Sequence, residues 1–262
     1  MKYKDKPYAK NSIRNTNYVQ IKGLDNKYYF GGRQNWFSNN KLYTDNILRE
    51  YGCGVIAAGD LFLYLALQDD NNRNDLTKIA IKGSTINQID YMGYIITVNK
   101  TYTKVKKHLG VLGPKLASAI NSYFKYAGIN YKARWAMSLS STEMLSKIIE
   151  MLEKDIPVIL SVGPNTPNIR GKDEINLYTS FAQSNDDYIV SRNELNQYKL
   201  QGTVNRHYMV ITELIKNNST SNNDIMLKVS SWGKDYYINY DEYRGYVEDI
   251  GGKITSSIIY IK

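Results

Sequence analysis

The sequence contains one cysteine and two histidines among 262 residues. A single cysteine cannot close an internal disulfide, which excludes the disulfide-stapled secreted modules. One cysteine and two histidines also cannot supply the four ligands of a usual structural zinc site. We therefore expect neither a metal site nor a cofactor.

Long apolar runs are also missing. No stretch reaches the ~20 consecutive apolar residues of a membrane-spanning helix. The first six residues are basic, but no apolar segment follows them, so we expect no signal peptide in this sequence. Cysteine usage is compatible with the cytoplasm, and also with an exported protein that was trimmed. The localisation and the oligomeric state stay open.

Lysine and arginine number 34 against 25 acidic residues, which gives a net charge of +9. The densest basic cluster is Lys104, Lys106, Lys107 and His108. A basic balance favours anionic partners such as nucleic acid, teichoic acid or acidic lipid, although a generically basic surface is the simpler interpretation. Since the sequence has no zinc knuckle and no RNA-recognition motif, nucleic acid is not an expected partner.

Apolar periodicity predicts three helices, over 53–67, 114–127 and 142–154. The first is apolar nearly all round, as in a helix buried on most faces. Pro114 and Gly128 suit the two ends of the second helix. Ser140 and Glu143 have the spacing of a capping box before the third.

Strand patterns dominate the second half of the sequence. They cover 156–162, 208–212, 225–229 and 254–261, and the second and third of these are predicted to form a hairpin. The segment 163–205 lacks periodicity and is predicted to be an irregular insertion. Helices followed by strands indicate an α+β fold with a helical half and a sheet half. We expect residues 1–45 to form an extension packed on a main domain, 46–262.

Cys53 lies between Gly52 and Gly54, where a polar segment enters the first predicted helix. A helix N-terminus lowers the pKa of a thiol, which favours the reactive thiolate. The flanking glycines allow other parts of the backbone to approach closely. A buried and unreactive cysteine is the competing interpretation.

A nucleophilic cysteine needs a histidine partner. His108 lies in the basic cluster and is better explained as a surface residue, whereas His207 opens a predicted strand, which is a rigid platform for a catalytic group. Pairing across the hairpin would bring Ser230 and Ser231 close to His207, where a third group should orient the imidazole. A hydrogen-bonded core histidine is the alternative for His207.

Four short motifs occur in an order that resembles the papain-like cysteine peptidases, and most closely their bacterial bacteriocin-leader-peptidase-like branch. The similarity covers roughly residues 40–260. Each motif is short, and their order and spacing together carry the resemblance. The motifs are Gly52-Cys53-Gly54, Ile156-Pro157-Val158-Ile159, Arg206-His207-Tyr208-Met209-Val210 and Ser230-Ser231-Trp232-Gly233.

The resemblance implies a papain-like fold, in which a helical half packs on an antiparallel sheet half with the active-site cleft between them. It implies Cys53 as the nucleophile, His207 as general base and acid, and Ser230 in the imidazole-orienting position, which is usually Asn or Asp. The family usually has a Gln about six positions before the cysteine, where Ile47 stands here and cannot donate. Asn46 is the candidate oxyanion donor instead. The remaining candidate cleft residues are Gly52, Gly54, Ser231 and Trp232.

Three functions follow from these observations. The first is a thiol-dependent hydrolase, a cysteine peptidase or amidase, that acts on a peptide or amide substrate. The second is a catalytically impaired papain-like module that binds a peptide or an anionic cell-wall polymer, because serine carries no charge to stabilise an imidazolium. The third is a basic adaptor in which Cys53 is only a core residue. In the 163–205 segment, Tyr178, Phe181 and Tyr188 are candidates for one wall of the cleft.

Overall fold

The computed structural model describes residues 8–38, 44–83, 85–137, 139–163, 174–180, 198–217, 224–251 and 256–262. These residues form seven α-helices and thirteen β-strands, which confirms the mixed α+β class. Within these ranges, every helix is too short or too polar to span a bilayer.

The elements have the following bounds. The helices are α1 Asn46–Tyr51, α2 Cys53–Gln68, α3 Thr77–Ala80, α4 Gln88–Val98, α5 Gly113–Ala127, α6 Ser141–Glu153 and α7 Tyr240–Gly245. The strands are β1 Tyr8–Ser12, β2 Gln20–Lys22, β3 Tyr28–Phe30, β4 Ile81–Lys82, β5 Thr85–Asn87, β6 Ala133–Met137, β7 Val158–Val162, β8 Ile175–Ser180, β9 Tyr198–Val204, β10 His207–Asn217, β11 Ile225–Ser231, β12 Lys234–Asn239 and β13 Ser256–Ile261. A 3₁₀-helix covers Gln34–Phe37, and a π-helical turn, Asn99–Thr103, extends α4.

The large sheet is antiparallel and is organised around β10, its longest strand. Its order is β6-β13-β7-β10-β11-β12-β8-β9. One edge of β10 pairs with β11, from Val210 opposite Ser230 to Lys216 opposite Ile225. The other edge is shared: the first half pairs with β7, with His207 opposite Val162, and the second half pairs with β1, with Glu213 opposite Ser12.

Helix α2 forms the centre of the core. Every residue from 54 to 66 is buried, and the helix contacts β10, α4 and α5. Because fully burying a large apolar side chain contributes about 1.5–3 kcal/mol, a helix apolar on all faces is stable only where other elements surround it. The Phe62 ring stacks on Tyr123 with centroids 3.7 Å apart, which joins α2 to α5.

The N-terminal segment belongs to the same core. Besides β1, it supplies β2 and β3 of a smaller sheet with the order β3-β2-β5-β4, in which β2 and β5 are parallel. Tyr18, Val19, Ile21 and Phe37 are fully buried and join the cluster around α2. The predicted extension is therefore integral to the packing.

The structure confirms several predicted elements and corrects one. The three predicted helices are present with ends shifted by one residue at most, and the hairpin β10–β11 is present with a first strand that continues five residues beyond its predicted end. The 163–205 segment is not wholly irregular, because its described parts form β8 and β9, a hairpin that extends the sheet beyond β12. The central residues of β9 are exposed, so this edge strand lacks the apolar alternation that would have revealed it. Phe181 and Tyr188 lie outside the described residues.

The predicted capping box at the start of α6 is formed. The Ser140 hydroxyl accepts a hydrogen bond from the Glu143 N–H (3.2 Å), and the Glu143 carboxylate accepts one from the Ser140 N–H (3.0 Å). We expect Ser140→Ala to lower the free energy of unfolding by about 1 kcal/mol, measured by urea denaturation. Ser141→Ala, one residue further, is the matched control and should have a much smaller effect; equal losses would contradict the capping role.

Candidate active site

Cys53 is the first residue of α2, as predicted. Gly52 separates α1 from α2, and a Cβ at this position would collide with the Leu48 carbonyl, so the close turn requires glycine. A Cβ at Gly54 would lie 3.2 Å from the Tyr208 ring. The two glycines thus allow tight packing on both sides of the cysteine.

His207 is the first residue of β10 and is buried, at 7% exposure. Its Nε2 lies 2.7 Å from the Ser231 Oγ, and its ring stacks on Trp232 with centroids 4.4 Å apart. When Nε2–H donates to Ser231, Nδ1 is left as the proton acceptor of the ring. The site therefore fixes the position of the imidazole.

The place beside the imidazole that was predicted for Ser230 is occupied by its neighbour, Ser231. The Ser230 hydroxyl donates to the Phe30 carbonyl at 2.8 Å, whereas Ser231 is the residue at His207. The reason is the alternation of side chains along a strand, which sends consecutive residues to opposite faces. The predicted pairing of β10 with β11 was correct, but the choice between the two serines was not.

The Trp232-Gly233 pair forms the turn between β11 and β12. Ser231 pairs with Lys234, so these are the two residues of a tight hairpin, and both have positive φ, at 48° and 76°. Such a turn favours glycine at its second position. It also places the indole of Trp232 over His207, which gives the sequence pair a structural role beside the site.

Cys53 and His207 line the same small cavity. They come from elements more than 150 positions apart in the sequence, brought together because α2 packs on β10. The lining residues are Gly32, Gln34, Cys53, Ile56, Ala57, Asp60, His207, Tyr208, Val210, Ser230, Ser231 and Trp232. Tyr178 is not among them; its hydroxyl donates to Glu242 at 2.6 Å.

Asn46 does not fit the predicted oxyanion role. It is exposed at the start of α1 and is not among the cavity residues. The amide that lines the cavity belongs to Gln34, whose Nε2 donates to the carbonyls of Leu48 (3.4 Å) and Arg49 (3.2 Å). Gln34 is 19 positions before Cys53, so the spacing of about six residues between Gln and Cys that the resemblance implies does not point to it.

Burial holds both members of the pair in their neutral forms. It raises the pKa of the Cys53 thiol, and the backbone N–H of Tyr208 offsets only part of this rise. The predicted lowering of this pKa by the helix N-terminus is thus outweighed by desolvation, even though the cysteine keeps partial exposure. Burial also lowers the pKa of His207 to about 3.

Asp60 is a functional candidate that sequence analysis missed. It lies seven residues after Cys53 on α2, which is about two turns further along the helix, and it lines the same cavity. Its carboxyl accepts hydrogen bonds from the Tyr91 hydroxyl (2.6 Å) and the Gly32 N–H (2.9 Å). Burial raises its pKa to about 7. An acid within an otherwise apolar helix was the available signal.

The segment 30–34 passes beside the cavity and contributes Gly32 and Gln34 to its lining. The Phe30 N–H donates to the Gly233 carbonyl at 2.9 Å, and the Gly31 N–H donates to the Val19 carbonyl at 2.8 Å. Gly31 has a φ of 78°, and a Cβ on it would lie 2.7 Å from the Asp60 Oδ2. This glycine is required both by its conformation and by the close approach to α2.

Comparisons with protein-family models, with curated proteins and with solved structures find no match to this chain. Among the described residues, no group of three or more His, Cys, Asp or Glu side chains is arranged to hold a metal ion.

The raised pKa of Asp60 makes stability depend on pH. The folded state keeps its proton up to about pH 7, whereas an unfolded aspartate loses it near pH 4. The stabilisation is therefore present at low pH and is lost as the pH rises through 7. Asp60→Asn lacks this titration. We therefore expect the free energy of unfolding of Asp60→Asn minus that of wild type to increase by about 3 kcal/mol when the pH is raised from 5 to 8.

Urea unfolding of both proteins at the two pH values measures this difference. The variant keeps partners for the Gly32 N–H and the Tyr91 hydroxyl, since its amide offers an acceptor and a donor. The lowered pKa of His207 gives the opposite pH dependence, because the protein loses stability as the pH falls below 6.5. Because both proteins contain His207, the comparison cancels its effect. If the difference in unfolding free energy between the two proteins does not change with pH, the pKa of Asp60 is not raised in the folded state.

Proposed function

We propose that this protein is a thiol-dependent hydrolase of peptide or amide bonds, with a papain-like arrangement of its helical and sheet parts. Cys53 is the nucleophile, His207 the general base and acid, and Ser231 the residue that orients the imidazole. The observation that carries the proposal is the shared cavity, in which Cys53 and an imidazole fixed by Ser231 are both lining residues.

The neutral forms of Cys53 and His207 determine how the reaction would begin. A neutral imidazole with a free Nδ1 accepts the thiol proton as sulfur attacks the carbonyl carbon, and it then returns the proton to the leaving amine. Water hydrolyses the resulting thioester, with His207 again as the base. This differs from a preformed thiolate–imidazolium pair, which would need the charges that burial disfavours here.

Removal of the thiol tests the proposal directly. The substrate is a peptide mixture prepared by digesting a whole-cell extract. We expect wild-type protein to cleave some of these peptides, and mass spectrometry detects the products. Cys53→Ala should abolish cleavage, because the sole nucleophile is lost. Cys53→Ser, which keeps a side chain of similar size, is the control for effects of lost packing at this position. Cleavage that persists in Cys53→Ala would sink the proposal.

The two adjacent serines provide a matched pair of variants. We expect Ser231→Ala to lower kcat about tenfold with little change in KM, because one hydrogen bond that positions His207 is lost. Ser230→Ala should leave kcat within about threefold and instead lower stability by about 1 kcal/mol, because its bond to the Phe30 carbonyl holds the fold. Steady-state kinetics and urea unfolding separate the two effects, and the reverse pattern would restore Ser230 to the orienting role.

A second candidate function is a catalytically impaired module that binds a peptide or an anionic cell-wall polymer. Two observations favour it. The raised pKa of Cys53 and the lowered pKa of His207 keep both groups neutral, and His207 has a serine instead of a charged partner. In both cases we expect Cys53 to react with iodoacetamide more slowly than N-acetylcysteine at pH 6, and faster as the pH rises. Slow alkylation with cleavage supports the general-base hydrolase, whereas slow alkylation without cleavage supports the binding module.

A further inference from the structure

A tight turn near the cavity carries a feature that the proposed chemistry does not use. We refer to residues 104–112 as the basic turn. Lys106 and Gly110 face each other across it, with two backbone hydrogen bonds of 3.1 and 2.9 Å. His108 and Gly110 both have positive φ, as the reversal requires. The turn is thus a defined structure held by its own backbone.

Two leucines project from this turn into solvent. Leu109 is 66% exposed and Leu112 is 63% exposed, which places them among the most exposed large apolar side chains of the described residues. They are three positions apart in the sequence, so their Cα atoms are at most about 11 Å apart. Exposed apolar residues that lie close together indicate an interaction site more strongly than single ones do.

Lysines surround the two leucines. Lys104, Lys106, Lys107 and Lys115 are all exposed, and none forms an ion pair with another described residue. Lys107 has only a weak effect on Glu50, whose pKa is lowered mainly by the hydrogen bond from Arg49. The positive charge of the turn is therefore available to an anionic partner.

The position of the turn is fixed relative to the candidate active site. The Tyr51 hydroxyl lies 2.9 Å from the His108 Nδ1, and Tyr51 precedes Cys53 by two residues. On the other side, the Tyr208 hydroxyl donates to the Val111 carbonyl at 2.9 Å, and Tyr208 follows His207. Both halves of the site are thus attached to the basic turn.

We propose that the basic turn docks the protein on an anionic membrane surface, with Leu109 and Leu112 inserted among the acyl chains and the lysines at the headgroups. Two features favour a membrane over an acidic peptide. A tight turn is convex, so it fits a surface that deforms around it. The combination of exposed apolar side chains with flanking lysines is also the pattern of interfacial membrane anchors.

The proposal is independent of the hydrolase activity, because no catalytic residue takes part in docking. Its consequence is an orientation: the turn would bring the elements that carry Cys53 and His207 close to the membrane surface. Cys53→Ala should therefore bind vesicles as well as wild type does.

Vesicle flotation of the full chain tests the proposal. We expect wild type to bind vesicles of 70% phosphatidylcholine and 30% phosphatidylglycerol, but not pure phosphatidylcholine. Each lysine at an anionic surface contributes about fivefold in affinity, so K106Q/K107Q should weaken binding about 25-fold. L109S/L112S, which leaves the charge unchanged, should weaken it at least tenfold, because insertion of apolar area is lost.

The turn between β2 and β3 supplies a matched control, since it also carries an exposed leucine between two lysines. K22Q/L24S/K27Q should bind anionic vesicles within about twofold of wild type, and circular dichroism checks that each variant is folded. The proposal is overturned if wild type does not bind, or if the control weakens binding as much as the turn variants. It also fails if L109S/L112S binds as wild type does, or if soluble poly-glutamate binds equally well and independently of the leucines.

Discussion

The burial of α2 is the constraint on which the rest of the structure depends. This helix has no solvent-facing stripe, so sheet, helices and the N-terminal segment must all pack around it. The same burial brings its first residue, Cys53, to the strand that begins with His207. Stability and the candidate chemistry therefore have a common origin, and the surroundings that stabilise the helix also remove water from the thiol and the imidazole.

Desolvation shifts the pKa values of Cys53, Asp60 and His207 in the cavity in different directions. It raises the pKa of Cys53 and Asp60 and lowers that of His207, so each group favours its uncharged form. A cavity in which all three groups are neutral is stable, but it is less reactive than one with a thiolate. The proposed hydrolase must move a proton between Cys53 and His207 during attack, whereas a binding module would have no such requirement.

Local patterns predicted much of the fold, because they depend on neighbours in the sequence. The apolar run gave α2, the capping residues gave α6, and strand alternation gave the hairpin that holds His207. Gln34 and the choice between Ser230 and Ser231 could not be predicted in this way. The first depends on how a distant segment crosses the cavity, and the second depends on which face of β11 meets the imidazole.

The sharing of β10 between β7 and β1 has a consequence for synthesis on the ribosome. The first described strand of the chain, β1, finds its partner only about 200 residues later. The helix that begins with Cys53 leaves the ribosome long before the strand that begins with His207, by roughly 10 seconds or more at ordinary elongation rates. Until then α2 has no sheet to cover it, and Cys53 has no imidazole. An incomplete chain therefore exposes an apolar helix that requires protection from aggregation.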